Sequence, residues 1–312
     1  MKRVGVDIVT GFLGAGKTTL LANALSGPLA RPDVVFVVNE IGEIGLDGRV
    51  LTGFASVERV VELPSGCICC SIEDARFDLA VRELVDRYDP ALIVIETTGL
   101  ADPQPLEERV VAAGLGLDAV ITVVDAAGLD TALRHSRVVR RQVAAADFVV
   151  INKTDLCTPP ELARVRRRLA RWNRRALVLD GVRGRIDSDI LFGVGVMRYR
   201  AAARPATARN GHDHLAEDGI ASIALRGEHP LDRRRFERFL GRLPANVLRA
   251  KGVVSFADTP WRCVFNYTCG RYDMDWIQWP GAAAGSEAVF IGRDIARAEL
   301  ALSEGLARCE AK

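Results

Sequence analysis

Hydrophobic residues follow two different patterns along this chain, and the change comes near residue 193. In the first part, short runs of Val, Ile and Leu alternate with longer amphipathic segments. Such runs are typical of parallel strands buried on both faces, and the segments between them are typical of covering helices. The alternation predicts a doubly wound α/β domain with a mostly parallel sheet. We predict strands at Val4–Val9, Val34–Asn39, Leu92–Glu96, Ala119–Asp125, Phe148–Asn152 and Ala176–Leu179, and helices at Lys17–Leu25, Asp74–Tyr88 and Glu161–Asn173.

The second part of the chain predicts a small α+β domain. The segment Arg198–His214 is rich in Ala, Arg, Pro, Asn and Gly, and this composition indicates a linker. Beyond it we predict strands at Ile220–Leu225, Val247–Phe256, Trp261–Thr268 and Ala288–Gly292, and helices at Pro230–Leu243 and Asp294–Cys309. The predicted organisation is therefore a nucleotide-binding domain at 1–192, a linker at 193–216 and a C-terminal domain at 217–312.

Composition narrows the class of protein. At roughly 100–200 residues per domain, 312 residues predict two domains. A hydrophobic content of 49% with 26% charged residues excludes a wholly disordered or collagen-like chain. The net charge of +2 creates no overall field that would attract nucleic acid or an anionic membrane, so neither is expected as a partner.

The N-terminal sequence contains no signal peptide, and no apolar run is long enough to span a bilayer, so we expect a cytoplasmic protein. Three of the seven cysteines crowd into residues 67–70, which in a reducing compartment favours metal or redox chemistry over disulfides. The arginine-rich segment Glu161–Arg209 is interpreted as a solvated face and linker, or as a docking surface for an acidic partner or RNA. It lacks the interleaved aromatic residues typical of RNA binding.

A glycine-rich segment, GFLGAGKT at Gly11–Thr18, fits the phosphate-binding pattern GxxxxGK[ST]. A predicted strand precedes it and a predicted helix follows it, as this motif requires. Its glycines allow backbone N–H groups to surround phosphate oxygens, and the helix N-terminus adds a partial positive charge. We expect Lys17 to bridge the β- and γ-phosphates and the Thr18 hydroxyl to bind Mg²⁺.

The sequence NKTD, Asn152 to Asp155, ends a later predicted strand and predicts guanine recognition. The Asp155 carboxylate can accept two hydrogen bonds from guanine, where adenine offers no such pair of donors. The aliphatic part of Lys153 can lie along the base, and Asn152 can brace the loop. In isolation NKxD is a weak signal, but its place at a strand end, far downstream of a phosphate loop, makes it specific.

A third motif, ETTG at Glu96–Gly99, follows the strand Leu92–Glu96. Glu96 stands where phosphate-loop enzymes place the acid that holds the hydration shell of Mg²⁺, and the Gly99 N–H can face the γ-phosphate. Lys17, Thr18 and Glu96 are thus the candidate catalytic residues. The residue after Gly99 is Leu100 rather than the glutamine that orients water in many GTPases, so we expect slow intrinsic turnover.

The cysteine triplet Cys67, Cys69 and Cys70 follows a Pro-Ser turn. Three thiolates that converge on one cation make a plausible zinc site with an open fourth position. Buried free thiols and a redox pair are the alternatives. The fourth ligand could be Glu40 or Glu43, although Mg²⁺-shell contact or plain solvation is also open for these acids. His212 and His214 in the linker are a further option, for which a solvated loop is the alternative. We interpret Cys263 and Cys269 as structural.

Taken together, these segments closely resemble the CobW-like family of GTP-binding proteins. This family is a branch of the phosphate-loop GTPases related to the nickel-insertion GTPases of hydrogenase and urease. The resemblance is carried in order by GFLGAGKTTLL, NEIGEIGLDG, ELPSGCICC, ETTGLADP, VVDA and NKTDL, and in the C-terminal domain by RAKGVVSF and VFIGRDI.

The resemblance implies a GTPase that binds a transition metal at the cysteine motif and passes it to a client protein. It places nucleotide contacts on Gly14, Ala15, Gly16, Lys17, Thr18, Thr19, Asn152, Lys153 and Asp155, and metal contacts on Cys67, Cys69, Cys70 and Glu40. This chain has a short linker with few histidines where many relatives carry a long His-rich tract. Its segment 261–279, with cysteines and tryptophans, is a candidate client-specific surface.

The sequence therefore predicts a GTP-hydrolysing metallochaperone that uses GTP and Mg²⁺. Zn²⁺ is the first candidate for the carried metal and Co²⁺ the second, because thiolate-rich sites suit zinc. One alternative is a GTP-dependent accessory factor in cobalamin or other metalloenzyme maturation, with cobalt or a purely structural metal. Another is a thiol redox regulator that responds to GTP. The sequence identifies neither the client protein nor the oligomeric state.

Overall fold

The structure is a computed structural model that describes residues 4–26, 29, 32–38, 60–62, 74–186, 191–192, 220–277 and 285–311. The chain divides into two compact units, Arg3–Phe192, and Gly193–Lys312 together with Met1–Lys2. The first unit is an α/β domain and the second is a small α+β domain, so the predicted fold class is confirmed.

The first unit alternates strands and helices as the hydrophobic pattern predicts. Most predicted boundaries hold to within a few residues. Its strands are β1 (Gly5–Thr10), β2 (Val34–Val38), β3 (Val60–Glu62), β4 (Leu92–Glu96), β5 (Gly116–Asp125), β6 (Phe148–Asn152) and β7 (Leu177–Asp180). Its helices are α1 (Lys17–Leu25), α2 (Asp74–Tyr88), α3 (Gln104–Ala112), α4 (Leu129–His135), α5 (Val138–Ala145) and α6 (Pro159–Trp172). Strand β3 was not predicted, because a strand of three residues is too short to give a clear hydrophobic pattern.

These strands form one seven-stranded sheet in the order β3-β2-β4-β1-β5-β6-β7. Every pair of neighbours is parallel. Successive residues Val149, Val150 and Ile151 of β6 are all fully buried, although they point to opposite faces. Both faces of the sheet are therefore covered, which explains why the strands are almost continuously apolar.

Helix α6 begins two residues earlier than predicted, at Pro159 rather than Glu161. A capping box holds its N-terminus: the Glu161 carboxylate accepts hydrogen bonds from the Thr158 N–H at 2.8 Å and the Thr158 hydroxyl at 2.7 Å. Prolines are tolerated in the first turn of a helix because their missing N–H has no partner there. The two prolines therefore lie inside the helix instead of delaying its start.

Because all strands run the same way, the segments that leave their carboxyl ends meet at one edge of the sheet. The phosphate loop follows β1, Glu96 ends β4, Asp125 ends β5 and Asn152 ends β6. The fold thus brings together motifs that are far apart in sequence. This edge is the candidate functional site.

In its described residues, 220–277 and 285–311, the second unit contains five strands and two α-helices. They are β8 (Ile220–Gly227), β9 (Val247–Ser255), β10 (Arg262–Thr268), β11 (Arg271–Ile277) and β12 (Ser286–Arg293), with α7 (Arg233–Leu240) and α8 (Glu299–Ala307). The sheet is antiparallel, in the order β11-β10-β9-β12-β8. Its core includes Phe236 of α7, Phe265 of β10, Phe290 of β12 and Leu302 of α8, all essentially buried.

The predicted pattern of this unit lacked one strand, β11, and that prediction was wrong. Strand β11 pairs with β10 in a hairpin whose turn residues, Cys269 and Gly270, have φ angles of 48° and 95°. Two positive φ angles suit the tight turns that join twisted antiparallel strands. In β11 apolar residues alternate with Asp273 and Asp275, and in the sequence alone this charged alternation resembles a polar loop.

Both helices of this unit are shorter than predicted. Helix α7 begins after Asp232, whose carboxylate accepts a hydrogen bond from the Arg235 N–H at 2.8 Å, a standard N-cap. The residues Ile295–Ala298, predicted as helix, form a 3-10 turn that precedes α8. In the described part of the chain, no helix combines the length and apolar character needed to cross a membrane.

Candidate functional site

Two positions of the phosphate loop, Gly11 and Gly16, can be occupied only by glycine. Gly11 has a φ of 142°, and a Cβ there would lie 2.2 Å from the Val123 carbonyl oxygen. Gly16 has a φ of 99°, and a Cβ there would lie 2.3 Å from Asn152 Nδ2. The loop therefore fits closely against β5 and the NKTD motif, and α1 begins directly after it with its N-terminus toward the loop.

Lys17, the first residue of α1, is nearly buried, with 8% of its surface exposed. Its Nζ donates a hydrogen bond to the Gly11 carbonyl oxygen at 3.0 Å. The ammonium group is therefore held over the loop, at the place where phosphate oxygens bind in this motif. Of the other predicted contacts in this segment, Ala15 is buried, and Gly14 and Thr19 are exposed.

Thr18 and Glu96 meet although 78 residues separate them. The Thr18 hydroxyl donates to Glu96 Oε1 at 3.1 Å, and Glu96 is 3% exposed. A hydroxyl and a carboxylate beside a phosphate site supply the oxygen ligands, direct or through water, that Mg²⁺ prefers. The residues present therefore fit a magnesium ion.

The turn after β4 lies against the phosphate loop. The Thr97 N–H donates to the Val9 carbonyl at 2.9 Å, and the Thr97 hydroxyl donates to the Thr10 hydroxyl at 2.9 Å. A Cβ on Gly99 would lie 2.6 Å from the Leu13 backbone nitrogen, so only glycine fits at this position. Gly99 is thus placed at the edge of the loop, on the side expected for the γ-phosphate.

Asn152 braces the other side of the loop. Its Nδ2 donates to the Ala15 carbonyl at 2.9 Å, and its Oδ1 accepts from the Gly184 N–H at 2.9 Å. The side chain is 2% exposed. One buried amide therefore joins the phosphate loop, the NKTD turn and the turn after β7 into a single structure.

Lys153 has a left-handed backbone conformation, with a φ of 59°. Its Nζ lies 2.6 Å from Asp125 Oδ2, and the other oxygen of this carboxylate accepts the Gly128 N–H at 2.9 Å. Asp155 lies in a 3-10 turn, Thr154–Leu156, and is exposed. The lysine is thus fixed by an ion pair, and the Asp155 carboxylate remains accessible to a base.

Two residues of this site were not predicted individually. Asp125 appeared only within the VVDA segment, and its position at the end of β5 could have indicated it. Gln142 of α5 had no sequence signal, because it lies in the middle of an ordinary amphipathic helix. Its Nε2 donates to the carbonyls of Gly99 at 3.3 Å and Ala101 at 3.0 Å.

The predicted metal ligands Cys67, Cys69, Cys70 and Glu40 lie outside the described residues, as do Glu43, His212 and His214. Within the part of the chain that is described, no three potential metal ligands cluster together.

The described cysteines, Cys157, Cys263, Cys269 and Cys309, are not disulfide-bonded. Burial raises the pKa of the Cys309 thiol to about 11, and burial, followed by the charge of Glu161, raises the pKa of Cys157. Both shifts disfavour the thiolate, which is the form that binds metal.

Comparison with known proteins shows which family this chain belongs to. The profile described as "CobW/HypB/UreG, nucleotide-binding domain" matches residues 5–180, and "Cobalamin synthesis protein cobW C-terminal domain" matches residues 220–310. The zinc chaperone YjiA of Escherichia coli is 31% identical over 315 residues, which cover 96% of this chain and 97% of that protein. The zinc chaperone CobW of Pseudomonas aeruginosa is 32% identical over 347 residues, which cover 96% of this chain and 90% of that protein.

Among solved structures, the Zn(II)-bound YjiA GTPase from E. coli is 26% identical and covers 100% of both chains, with a TM-score of 0.46. The family profiles together match most of both units, and the resemblance inferred from the motifs is confirmed. The chain therefore belongs to the CobW/HypB/UreG family of nucleotide-binding proteins.

Proposed function

We propose that this protein is a GTP-hydrolysing metallochaperone that binds zinc at Cys67, Cys69 and Cys70 and delivers it to a client protein. The observation that carries the proposal is the continuity of the nucleotide site. The phosphate loop contacts the Thr18–Glu96 pair on one side, and Asn152 links it to the base-reading motif on the other. Membership of the family and the names of its zinc chaperones support the choice of nucleotide and cargo.

In this site Lys17 would stabilise charge on the β- and γ-phosphates, and Asp155 would select guanine. Thr18 and Glu96 would hold Mg²⁺, which would neutralise charge that develops on the phosphates. The apolar side chain of Leu100 cannot orient water. We therefore expect slow hydrolysis by the free protein, which suits a switch whose turnover depends on its cargo or client.

The parallel sheet supports a link between nucleotide and metal. The segment with Glu40 leaves the carboxyl end of β2, and the segment with the cysteine triplet leaves that of β3. Val38, the last residue of β2, pairs with Glu62 on one side and with Glu96 on the other. Both candidate metal segments thus begin within two strands of the acid that would hold Mg²⁺. Hydrolysis can bias a segment that contacts the γ-phosphate, and so can change its affinity for metal.

The test compares zinc affinity in two nucleotide states. Zinc affinity is measured by competition with a chromophoric chelator. Each measurement is made once in the presence of GDP and once in the presence of a non-hydrolysable GTP analogue. The proteins compared are the wild type and a triple variant with Cys67→Ser, Cys69→Ser and Cys70→Ser. Coupling between allosteric sites is usually about 5- to 150-fold in affinity. We expect a difference of that order in the wild type, and loss of zinc binding in the triple variant. Cys157→Ser is the control for removal of a thiol outside the motif.

Each other outcome has a clear meaning. Zinc binding by the triple variant with wild-type affinity would refute the metal site. Equal zinc affinity in both nucleotide states would favour the alternative, an accessory factor of metalloenzyme maturation with a structural metal. Loss of all GTP hydrolysis on Lys17→Ala is expected, and unchanged hydrolysis would exclude the phosphate loop as the catalytic site.

A further inference from the structure

The turn after β4 is held from two sides. Thr97 fixes its start to β1, through the bonds to Val9 and Thr10. Gln142 fixes its middle, because its side-chain amide donates to the carbonyls of both Gly99 and Ala101. These carbonyls belong to a turn that contacts the phosphate loop. The anchor, however, lies on a helix that itself contributes no predicted nucleotide contact.

Gln142 is well placed to act as a rigid anchor. It is 1% exposed, and its own backbone carbonyl accepts a hydrogen bond from the Thr122 hydroxyl of β5 at 2.7 Å. Both groups that face its Nε2 are carbonyls, so this end of the amide must be the donor. In the described part of the chain, its Oε1 has no hydrogen-bond partner. The two hydrogen bonds that Nε2 donates are therefore the polar contacts through which the Gln142 side chain acts on its neighbours.

The two carbonyls that Gln142 holds determine where the neighbouring N–H groups point. In a trans peptide the N–H and the C=O point in opposite directions, and the described chain has no cis peptide. Since the Gly99 carbonyl points toward α5, the Leu100 N–H points away from it. Since the Thr98 carbonyl accepts the Ala101 N–H at 3.1 Å, the Gly99 N–H points away from the turn. Among the described residues, neither N–H donates to another group.

We propose that Gln142 is a positioning residue that holds the Gly99 and Leu100 N–H groups in place for the γ-phosphate, so that the site distinguishes GTP from GDP. The inference rests on the proposed function, because it requires guanine nucleotide in the phosphate loop. Gln142 acts through the turn and does not touch the nucleotide. Preorganised donors are effective because no reorganisation is needed when charge arrives, so loosening the turn weakens γ-phosphate binding selectively.

The experiment uses the full chain with Gln142→Met and Gln142→Glu. Methionine has a similar length and no donor, and Gln142 lines a cavity of about 290 Å³ with Phe12 and Leu13 that can accommodate the thioether. Glutamate retains the shape but presents oxygen to the two carbonyls. Gln104→Met, on the exposed start of α3, is the matched control. Affinities for GDP and for a non-hydrolysable GTP analogue are measured by calorimetry, and kcat and KM for GTP by phosphate release.

We expect both Gln142 variants to bind the GTP analogue about ten-fold more weakly and to bind GDP within about two-fold of the wild type, since two buried hydrogen bonds to the turn are lost. The value of kcat should fall as well. Equal weakening for GDP and the GTP analogue would show a purely structural role. Unchanged affinity for both would also refute the proposal. If the wild type bound neither nucleotide, the proposed function would fail instead.

Thermal unfolding without nucleotide shows whether each variant folds. Should neither Gln142 variant fold, Thr122→Val provides the test, because it removes the hydroxyl that holds the Gln142 backbone and leaves the amide intact. Like the Gln142 variants, this variant should bind the GTP analogue more weakly relative to GDP, but by a smaller factor. A Thr122→Val protein in which the ratio of the two affinities is unchanged would contradict the proposed positioning role of Gln142.

Discussion

Single side chains hold this site together by bridging segments that are distant in sequence. Asn152 joins the phosphate loop to the turn after β7, Gln142 joins α5 to the turn after β4, and Asp125 joins β5 to Lys153. Each of these contacts is buried or partly buried, so its electrostatic component is stronger than it would be in water. The three bridges lie in different parts of the proposed nucleotide site, and their substitution should therefore give different binding profiles.

At this scale we predict the effect of Asp125→Asn. Asparagine can still accept the Gly128 N–H, but it removes the charge that holds Lys153, whose side chain is 33% exposed. A partly exposed ion pair is worth up to about 1 kcal/mol, and the loss of that free energy on binding would lower nucleotide affinity by roughly five-fold. We expect GDP and a GTP analogue to bind more weakly by this same factor, because Lys153 is predicted to lie along the base, which both nucleotides share. Isothermal titration of both nucleotides measures it.

The matched control is Asp130→Asn, which removes a carboxylate that pairs with Arg168 on the surface of the same domain. It should leave both affinities unchanged. An Asp125→Asn protein with wild-type affinity for GDP would show that the ion pair does not position the base-reading lysine. A selective loss for the GTP analogue would assign Asp125 to the phosphate side.

Among the elements, three strands of the C-terminal sheet pack closely around Gly252 in β9. Gly252 pairs with Phe265 of β10 and Ala288 of β12. A Cβ there would lie 2.3 Å from the Glu287 carbonyl oxygen and 2.5 Å from the Phe265 ring. The glycine of the RAKGVVSF segment is therefore required by the spacing of three neighbouring strands, and a side chain would push them apart.

We predict that Gly252→Ala lowers the free energy of unfolding of the protein by about 1–3 kcal/mol, the usual cost of overpacking. Denaturation by urea, followed by tryptophan fluorescence, measures the loss, since Trp276 packs against the core of this unit. Gly241→Ala is the control: its φ is −68°, and a Cβ there would meet its nearest neighbour at an ordinary 3.5 Å. Equal stability of the two variants would disprove the close approach.

On the scale of the whole molecule, the described core residues of the C-terminal unit all come from that unit, from Ile223 to Cys309. The cores of the first unit are likewise built within it: α2 and α3 cover one part of the sheet, and α4, α5 and α6 cover another. Separate cores are the physical criterion for separate domains. They are consistent with the boundaries at 1–192 and 217–312 that we propose from the sequence pattern.

We therefore predict that a fragment of residues 217–312 folds without the nucleotide-binding domain. A chain of this size can bury enough apolar surface to be stable alone. Circular dichroism during heating should show a cooperative transition, and an added GTP analogue should leave its midpoint unchanged, because the fragment lacks the phosphate loop. A fragment that melts without cooperativity would contradict the domain boundary.

Several features of the site could be predicted from local sequence, because local chemistry alone imposes them. The phosphate loop is one, because its spacing of glycines, lysine and a hydroxyl residue between a strand and a helix is specific to this motif. The NKTD motif is another. Strand β11 could not be predicted in the same way, because its alternating aspartates resemble a polar loop until β10 is known to lie beside it.

The sequence by itself determined the fold class, the family and the identity of the nucleotide motifs, because these depend on hydrophobic period and on residues adjacent in the chain. Only the tertiary structure decided which motifs touch. Thr18 meets Glu96, and Lys153 meets Asp125, because parallel strands deliver their carboxyl ends to one edge of the sheet. The role of Gln142 also came from the structure alone. A glutamine in a helix acquires its function from the carbonyls that the neighbouring turn presents to it.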